Sequence, residues 1–324
     1  MTTVAEVRQP SHGWKVVAGK ELADYLLSAR FIVLLVILGL AAAGAVYTAA
    51  SGIRDVATQA SGSPALFLRL FTISADPMPF SFFVFIGFLA PILGIAFGFD
   101  AVNGERAQGT LPRLVAQPIH RDDVINGKFV AGLSAIGLML ITLVLIVAGL
   151  GIFRLGIVPS VAEVARLVVW LIVAVLYVGF WLAFATWCSV MLRRASSSAL
   201  VAIATWLVLA LFAALLVQLI AGVIAPVPEG AGGDVILHNA QVEQTLSRIS
   251  PITLYDEATT ALLDPETRAV GIVTIQQLDR AIVSDLSLGQ SLLLVWPQVV
   301  GLVALTEICF VAAYVTFMRQ EIRA

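Results

Sequence analysis

The side chains that could do work at a surface are gathered in one stretch. Between Asp100 and Lys128 the chain carries Arg106, Arg113, Arg121 and Lys128 against Asp100, Glu105, Asp122 and Asp123. Two strongly apolar runs, Phe80–Phe99 and Phe129–Phe153, enter and leave it. A mixed-charge segment between such runs cannot lie in hydrocarbon, where no water satisfies it. It must form a loop or short helices at a membrane surface, and its Lys and Arg place it on the cytoplasmic side.

The residue types that catalysis needs are not at membrane depth. His12, His120 and His238 all fall outside the apolar runs, which excludes an intramembrane Ser–His dyad and an HExxH zinc site. No Asp–Asp or His–Glu cluster has metal-ligand spacing, so no metal is expected. Gly127-Lys128 lacks a glycine five residues earlier and is followed by Phe129, so it has neither the phosphate cradle nor the magnesium-binding hydroxyl of a P-loop. The chain reads as no enzyme, unable to hydrolyse ATP alone. One acid stands apart. Glu307 lies near the middle of the last apolar run, where an ionised carboxylate costs about 2–3 kcal/mol unless paired or protonated. It is either a polar contact on a transport path or in the bundle interior, or a protonated Glu hydrogen-bonded to a neighbouring helix.

These groups need a membrane scaffold. The 324 residues are 60% hydrophobic and 12% charged, and the mean hydropathy is +0.98. Soluble domains hold roughly twice that share of charge, so the chain is an all-α integral membrane protein. Net charge of -2 gives no reason to expect nucleic acid. Six transmembrane helices are read: Phe31–Ala50, Phe80–Phe99, Phe129–Phe153, Val164–Leu192, Ala199–Ala225 and Leu292–Met318. The lead before the first span is too long for a signal peptide's polar region, so that span reads as retained. Trp14–Ala29 reads as an interfacial amphipathic helix, with Val17, Leu22, Tyr25 and Leu26 on one face and Lys20, Glu21 and Asp24 elsewhere.

Basic residues set the orientation. Twelve of the 19 Lys and Arg lie in the N-terminal lead, the 100–128 loop, the Arg193-Arg194 turn and the tail, which puts both termini in the cytoplasm. The units follow: a cytoplasmic N-terminus, 1–30; spans one to five, 31–225, with the loop 100–128; an extracytoplasmic helical segment, 226–291; and the sixth span with its short tail, 292–324. In the extracytoplasmic segment Ser250-Pro251 and Asp264-Pro265 open helices, and Ile275, Leu278, Ile282 and Leu286 mark an apolar face. It reads as a small helical cap lying against the outer surface. No pair of broken spans recurs in matching halves, which counts against an inverted-repeat transporter.

The string Glu105-Arg106, Gly109-Thr110-Leu111, Leu114, Pro118-Ile119, Arg121, Val124-Ile125 and Gly127-Lys128 resembles the cytoplasmic loop of type 2 permease subunits of ATP-binding-cassette transporters. Within that group it is most similar to the permease of nitrous-oxide-reductase maturation systems. Ser189, Arg193-Arg194, Ser250-Pro251 and Phe317–Ile322 extend the resemblance over nearly the whole chain.

The resemblance implies a permease subunit, an exporter by family, in a prokaryotic cytoplasmic membrane. It implies a homodimer or a pairing with a paralogous permease, and a separate cytoplasmic ATPase that holds ATP and Mg. It also implies that Glu105, Arg106, Gly109, Thr110, Leu111, Leu114, Arg121 and Lys128 meet that ATPase, and that Trp14–Ala29 is the connecting helix. Physically, Thr110 can cap a short coupling helix whose Leu111, Leu114 and Val115 form an apolar ridge. Pro118 would stop it, and Gly109 and Gly127 would allow turns on either side. Pro112 departs from the pattern and can shift where that helix begins. Two other classes fit the spans alone: a membrane anchor or signalling partner that transports nothing, and an ion-coupled transporter using Glu307.

Overall fold

The computed structural model describes residues 13–57, 65–73, 80–110, 120–265 and 286–320. Their regular structure is all helical, in chain order α1 Gly13–Leu26, α2 Ala29–Ala57, α3 Leu66–Thr72, α4 Phe82–Gly98, α5 Asn103–Ala107 and α6 Arg121–Leu155. There follow α7 Val161–Met191, α8 Ala195–Leu211, α9 Ala213–Ile224, α10 Gly233–Ser247, α11 Pro251–Leu263 and α12 Leu288–Arg319. Five helices (α2, α4, α6, α7, α12) are long and apolar enough to cross a membrane, and α8 with α9 makes a sixth if the bent pair is one span. The chain is a multi-pass all-α membrane protein.

The fifth span corrects the sequence reading. Instead of one continuous helix over Ala199–Ala225, α8 and α9 meet at 60° around Phe212. Sharp bends usually follow Pro or Gly; neither stands in Ala210-Leu211-Phe212-Ala213, and we have no physical account of the break. Asn239 on α10 donates to the carbonyls of Ala221 and Ala225, so orphan acceptors at the end of α9 are satisfied by the next helix.

The centre of the bundle is α7, which packs against α4, α6, α8, α11 and α12. Its inward side chains Trp170, Tyr177 and Trp181 are among the largest fully buried ones. α7 starts where Ser160 and Glu163 form a capping box. Glu163 also accepts from the Phe67 amide at 2.9 Å, so one buried carboxylate anchors the starts of both α3 and α7. Ser189 does comparable work at the other end of α7: its hydroxyl accepts from the amides of Val102 and Asn103.

The segment after α10 also corrects the reading. α11 does not lie on the surface as a cap; it is packed into the bundle against α12, α7, α4 and α3. Leu254, Tyr255, Ala258, Ala261 and Leu262 are buried, which is more apolar contact than a surface helix would make. Ser250 stands at the N-cap and Pro251 at the first position, as expected, yet the Ser250 hydroxyl makes no capping bond. Asp264 caps the C-terminus of α11, and the helix expected after Pro265, with Ile275, Leu278 and Ile282, falls outside the described residues.

Arg166 ties this arrangement together from α7. It is 5% exposed and donates to the Leu262 carbonyl at 2.9 Å, to Ser291 Oγ at 3.0 Å and to the Leu286 carbonyl. A cation at the carbonyl end of α11 also meets the negative end of its dipole. Arg166→Ala is expected to destabilise by about 3 kcal/mol, since charge-assisted bonds to buried acceptors are lost together. A lowered melting temperature in detergent, with faster proteolysis between α11 and α12, checks it; an unchanged melt would mean these carbonyls find water instead.

Candidate functional site at the foot of the 100–128 loop

Five elements converge where the charged stretch leaves the bundle: α1, the α4–α5 corner, the first turns of α6, the end of α7 and the end of α12. The mixed-charge stretch is not all loop. α6 begins at Arg121, so Arg121–Lys128 forms the first two turns of the third span's helix. His120 stands at its N-cap and Asp123 accepts from the His120 amide, which closes the helix start.

Asp123 also accepts from the Trp14 amide at 3.0 Å and so fixes the start of α1 on α6. The two helices run in close contact because Gly127 lacks a side chain. A Cβ there would sit 2.7 Å from Val17 Cβ and 2.9 Å from the Trp14 carbonyl. Gly127 therefore serves a helix crossing, not the turn that its neighbours suggested. α1 itself buries Gly13, Val17 and Glu21, a stripe that includes a carboxylate read as solvent-facing.

The reason Glu21 is inside is Lys128. Lys128 is 4% exposed, and its ammonium lies 2.8 Å from Glu105 Oε1 and 3.1 Å from Glu21 Oε2. One buried cation thus joins α1, α5 and α6. A charge at this depth is tolerable only with partners, and here it has two. Lys20 adds a second, exposed cation beside Glu21 and makes the expected i,i+4 pair with Asp24. Arg30 at the start of α2 pairs with Asp100 and donates to the Ala96 carbonyl, which holds the first span to the end of the second.

The tail of α12 closes the other side. Arg106 donates to Gln320 Oε1, Arg121 donates to the Gln320 carbonyl at 3.0 Å, and Gln320 Nε2 donates to the Val190 carbonyl at 2.8 Å. Arg121 also lies over the Phe317 ring, 5.8 Å from its centroid. Asn103, wholly buried, donates to the Leu192 carbonyl. Gly109 has φ +68, the left-handed conformation glycine adopts without strain, and there the chain turns away from α5. The Thr110 hydroxyl donates back to the Glu105 carbonyl, so it caps the end of α5.

Of the expected site residues, Glu105, Arg106, Arg121 and Lys128 are brought together and bonded within the chain. Gly109 and Thr110 sit beside them at the exit. Leu111 and Leu114, with the expected coupling helix, lie outside the described residues. Glu307 is elsewhere, on the exposed side of α12, and makes no hydrogen bond to a neighbouring helix among the described residues. Its neighbour Thr306 is buried and donates to the Leu302 carbonyl, so helical rotation turns Glu307 outward. Sequence reasoning missed Glu21 and Asn103. Glu21 carried a signal, standing four residues after Val17 on the same stripe.

The family model described as ABC-2 family transporter protein matches residues 15–322, from α1 to the tail beyond α12. The chain belongs to that family. No curated protein matches it significantly. ABC-2 permeases are membrane subunits of transporters that work with a cytoplasmic ATPase subunit, not ATPases themselves. The charged foot on this ABC-2 chain is the described part nearest to the loop expected to reach such a partner.

Proposed function

We propose that this ABC-2 chain is the permease subunit of an exporter, seated in a prokaryotic inner membrane with the 100–128 end in the cytoplasm. It pairs with a second copy or a paralogous permease, and each copy engages one ATPase that holds ATP and Mg. The observation that carries this reading is the buried Glu21–Lys128–Glu105 bridge. It couples α1 and α6 to the short helix that precedes residues 111–119, so a push on those residues is passed to two helices. The Arg106–Gln320 and Arg121–Gln320 bonds add α12 to the same rigid group.

In this mechanism ATP binding closes the ATPase pair and moves the loop containing Leu111 and Leu114. The foot transmits that movement, and the spans rock to alternate access. Lys128 and Glu105 position the loop from inside, while the apolar ridge of Leu111 and Leu114 meets the ATPase cleft. The finer kinship with maturation permeases is part of this reading, supported by the loop string alone.

The test is purification from mild detergent of the wild type and a Leu111→Asp, Leu114→Asp variant, with identification of what accompanies each. A Walker-motif protein is expected with the wild type and lost, at least tenfold, from the variant. If no ATPase accompanies the wild type, and the ATPase encoded beside its gene forms no complex with it, the reading fails.

A further inference from the structure

α9 is apolar on nearly every side and sheltered along one narrow seam, Ala213, Val217 and Ala221. Leu215, Leu216, Leu219, Ile220, Val223 and Ile224 are exposed, Val223 to 83%. No ionisable residue stands between Arg194 and Glu229. A helix that is apolar all round does not rest in water.

α10, which packs along α9, shows the opposite character outside. Asp234, His238, Gln241 and Thr245 are exposed at helical spacing and make one polar stripe, with Ile236 the exposed apolar exception. Val235, Asn239, Val242 and Leu246, on an adjacent face, are half-buried. From that face Asn239 donates to the carbonyls of Ala225 at 2.6 Å and Ala221 at 3.3 Å. The last carbonyls of a helix have no partner within it, and hydrocarbon offers no water. A side-chain amide from the next helix does that work here.

The hairpin stands at the end of the bundle opposite the 100–128 loop. α7 ends at the foot, where Ser189 takes the amides of Val102 and Asn103, and α8 starts there at Ala195. The 17 residues of α8 reach about 25 Å, close to the roughly 30 Å of a hydrocarbon core. A straight continuation through the 12 residues of α9 would add about 18 Å and overshoot. At 60° it adds about 9 Å along an upright α8 and runs sideways instead. Gln218, the sole polar side chain of α9, is exposed as well, and its amide needs a polar neighbour, which sets α9 near the headgroups and not at the bilayer centre.

We propose that α9 and α10 form a lipid-seated hairpin in the plane of the bilayer, α9 among the upper acyl chains of the leaflet opposite the 100–128 loop and α10 among its headgroups. A unit apolar below and polar above lies in that interface. Calling the leaflet the outer one rests on the permease reading; the in-plane position does not. Arg248, at the end of α10, bonds Glu257 of α11 at 2.9 Å, so the lipid's hold on the hairpin reaches the buried α11.

The test uses the full chain in phosphatidylcholine nanodiscs, with Cys188→Ala and Cys309→Ala and one new cysteine at a time. Leu216→Cys, Ile220→Cys and Val223→Cys probe α9, Gln241→Cys and Thr245→Cys probe α10, and Ile203→Cys marks the middle of α8. Bimane on the α9 sites is expected to be quenched about twofold more by phosphatidylcholine spin-labelled near the headgroup than near the chain end, with the reverse at Ile203→Cys. The unlabelled α10 cysteines are expected to react about tenfold faster with a membrane-impermeant maleimide than the α9 cysteines. Three results overturn the proposal. Quenching of α9 with the depth profile of Ile203→Cys makes it a deep part of the span. Maleimide reaction of α9 as fast as α10 puts it in water. Protection of α9 from both spin label and maleimide means that protein covers it, a second copy or another part of this chain. None of these readouts involves the ATPase, so the hairpin and the permease reading fail separately.

Discussion

Lys128→Met is expected to lower the stability of the folded chain by about 3–5 kcal/mol and to abolish stimulation of the partner ATPase. The magnitude follows from leaving a buried carboxylate without its cation, which costs more than the intact pair contributes. The two acids do not suffer equally. Glu21 keeps Lys20, but that lysine is 61% exposed and such a pair is worth at most about 1 kcal/mol. Glu105 has no other cation at hydrogen-bond distance among the described residues, and its Oε2 already lacks a partner. Glu105→Gln in the Lys128→Met background is therefore expected to recover about half of the loss, and Glu21→Gln less. Denaturant unfolding in detergent reads the stability, and ATP hydrolysis by the reconstituted pair reads the coupling. A variant that remains as stable as the wild type would place Lys128 in water in solution. One that loses stability, regains it with Glu105→Gln and still drives the ATPase would make the bridge a staple with no part in transmission.

How much of this was legible in the sequence differs from element to element for physical reasons. The spans were legible because hydrocarbon demands long apolar runs, and α2, α4, α6, α7 and α12 have them. The start of α6 was misplaced because charge was taken as a sign of loop, whereas Arg121–Lys128 is a charged beginning of an apolar helix, with its acids in the first turn where the dipole favours them. The bend at Phe212 left no local mark. α11 was taken for part of a surface cap because the 226–291 segment is too short to bury a large core of its own; what buries it is the tertiary fit of Tyr255 to Gly87 and of Leu254 to Gly301, which no periodicity records. At the site, the charged residues were picked out by type, but their direction was not. Lys128 and Glu105 turn inward because Gly127 brings α1 close enough to supply Glu21.

The contact between α4 and α7 rests on two glycines one turn apart, and alanine at either is expected to disturb the whole bundle. A Cβ on Gly94 would meet the Val178 carbonyl at 2.5 Å and the Leu182 amide nitrogen at 2.8 Å; one on Gly98 would meet the Leu182 carbonyl at 2.7 Å and Ala185 Cβ at 2.8 Å. Most of these are backbone atoms of a buried helix and cannot swing aside, so the helices must separate. Small residues at such spacing are what let membrane helices approach closely, and there packing must supply the attraction that water supplies elsewhere. Overpacking of this kind costs about 1–3 kcal/mol per site, set against up to about 1 kcal/mol gained by replacing a helical glycine with alanine. Net destabilisation of about 2 kcal/mol is expected for Gly94→Ala. The double variant is expected to fall short of the sum, because one separation relieves both clashes. Gly149→Ala has nothing within 4 Å of its Cβ and is expected to be neutral or slightly stabilising, which separates packing from propensity. α4 also leads directly into α5, so the same displacement should carry Glu105 away from Lys128. Gly94→Ala is thus expected to reduce ATPase stimulation by severalfold even at temperatures where the chain stays folded. Melting curves for the three single variants and the double, with hydrolysis assays beside them, decide it. Equal melts for Gly94→Ala and Gly149→Ala would mean that α4 and α7 are not in close contact in the bilayer.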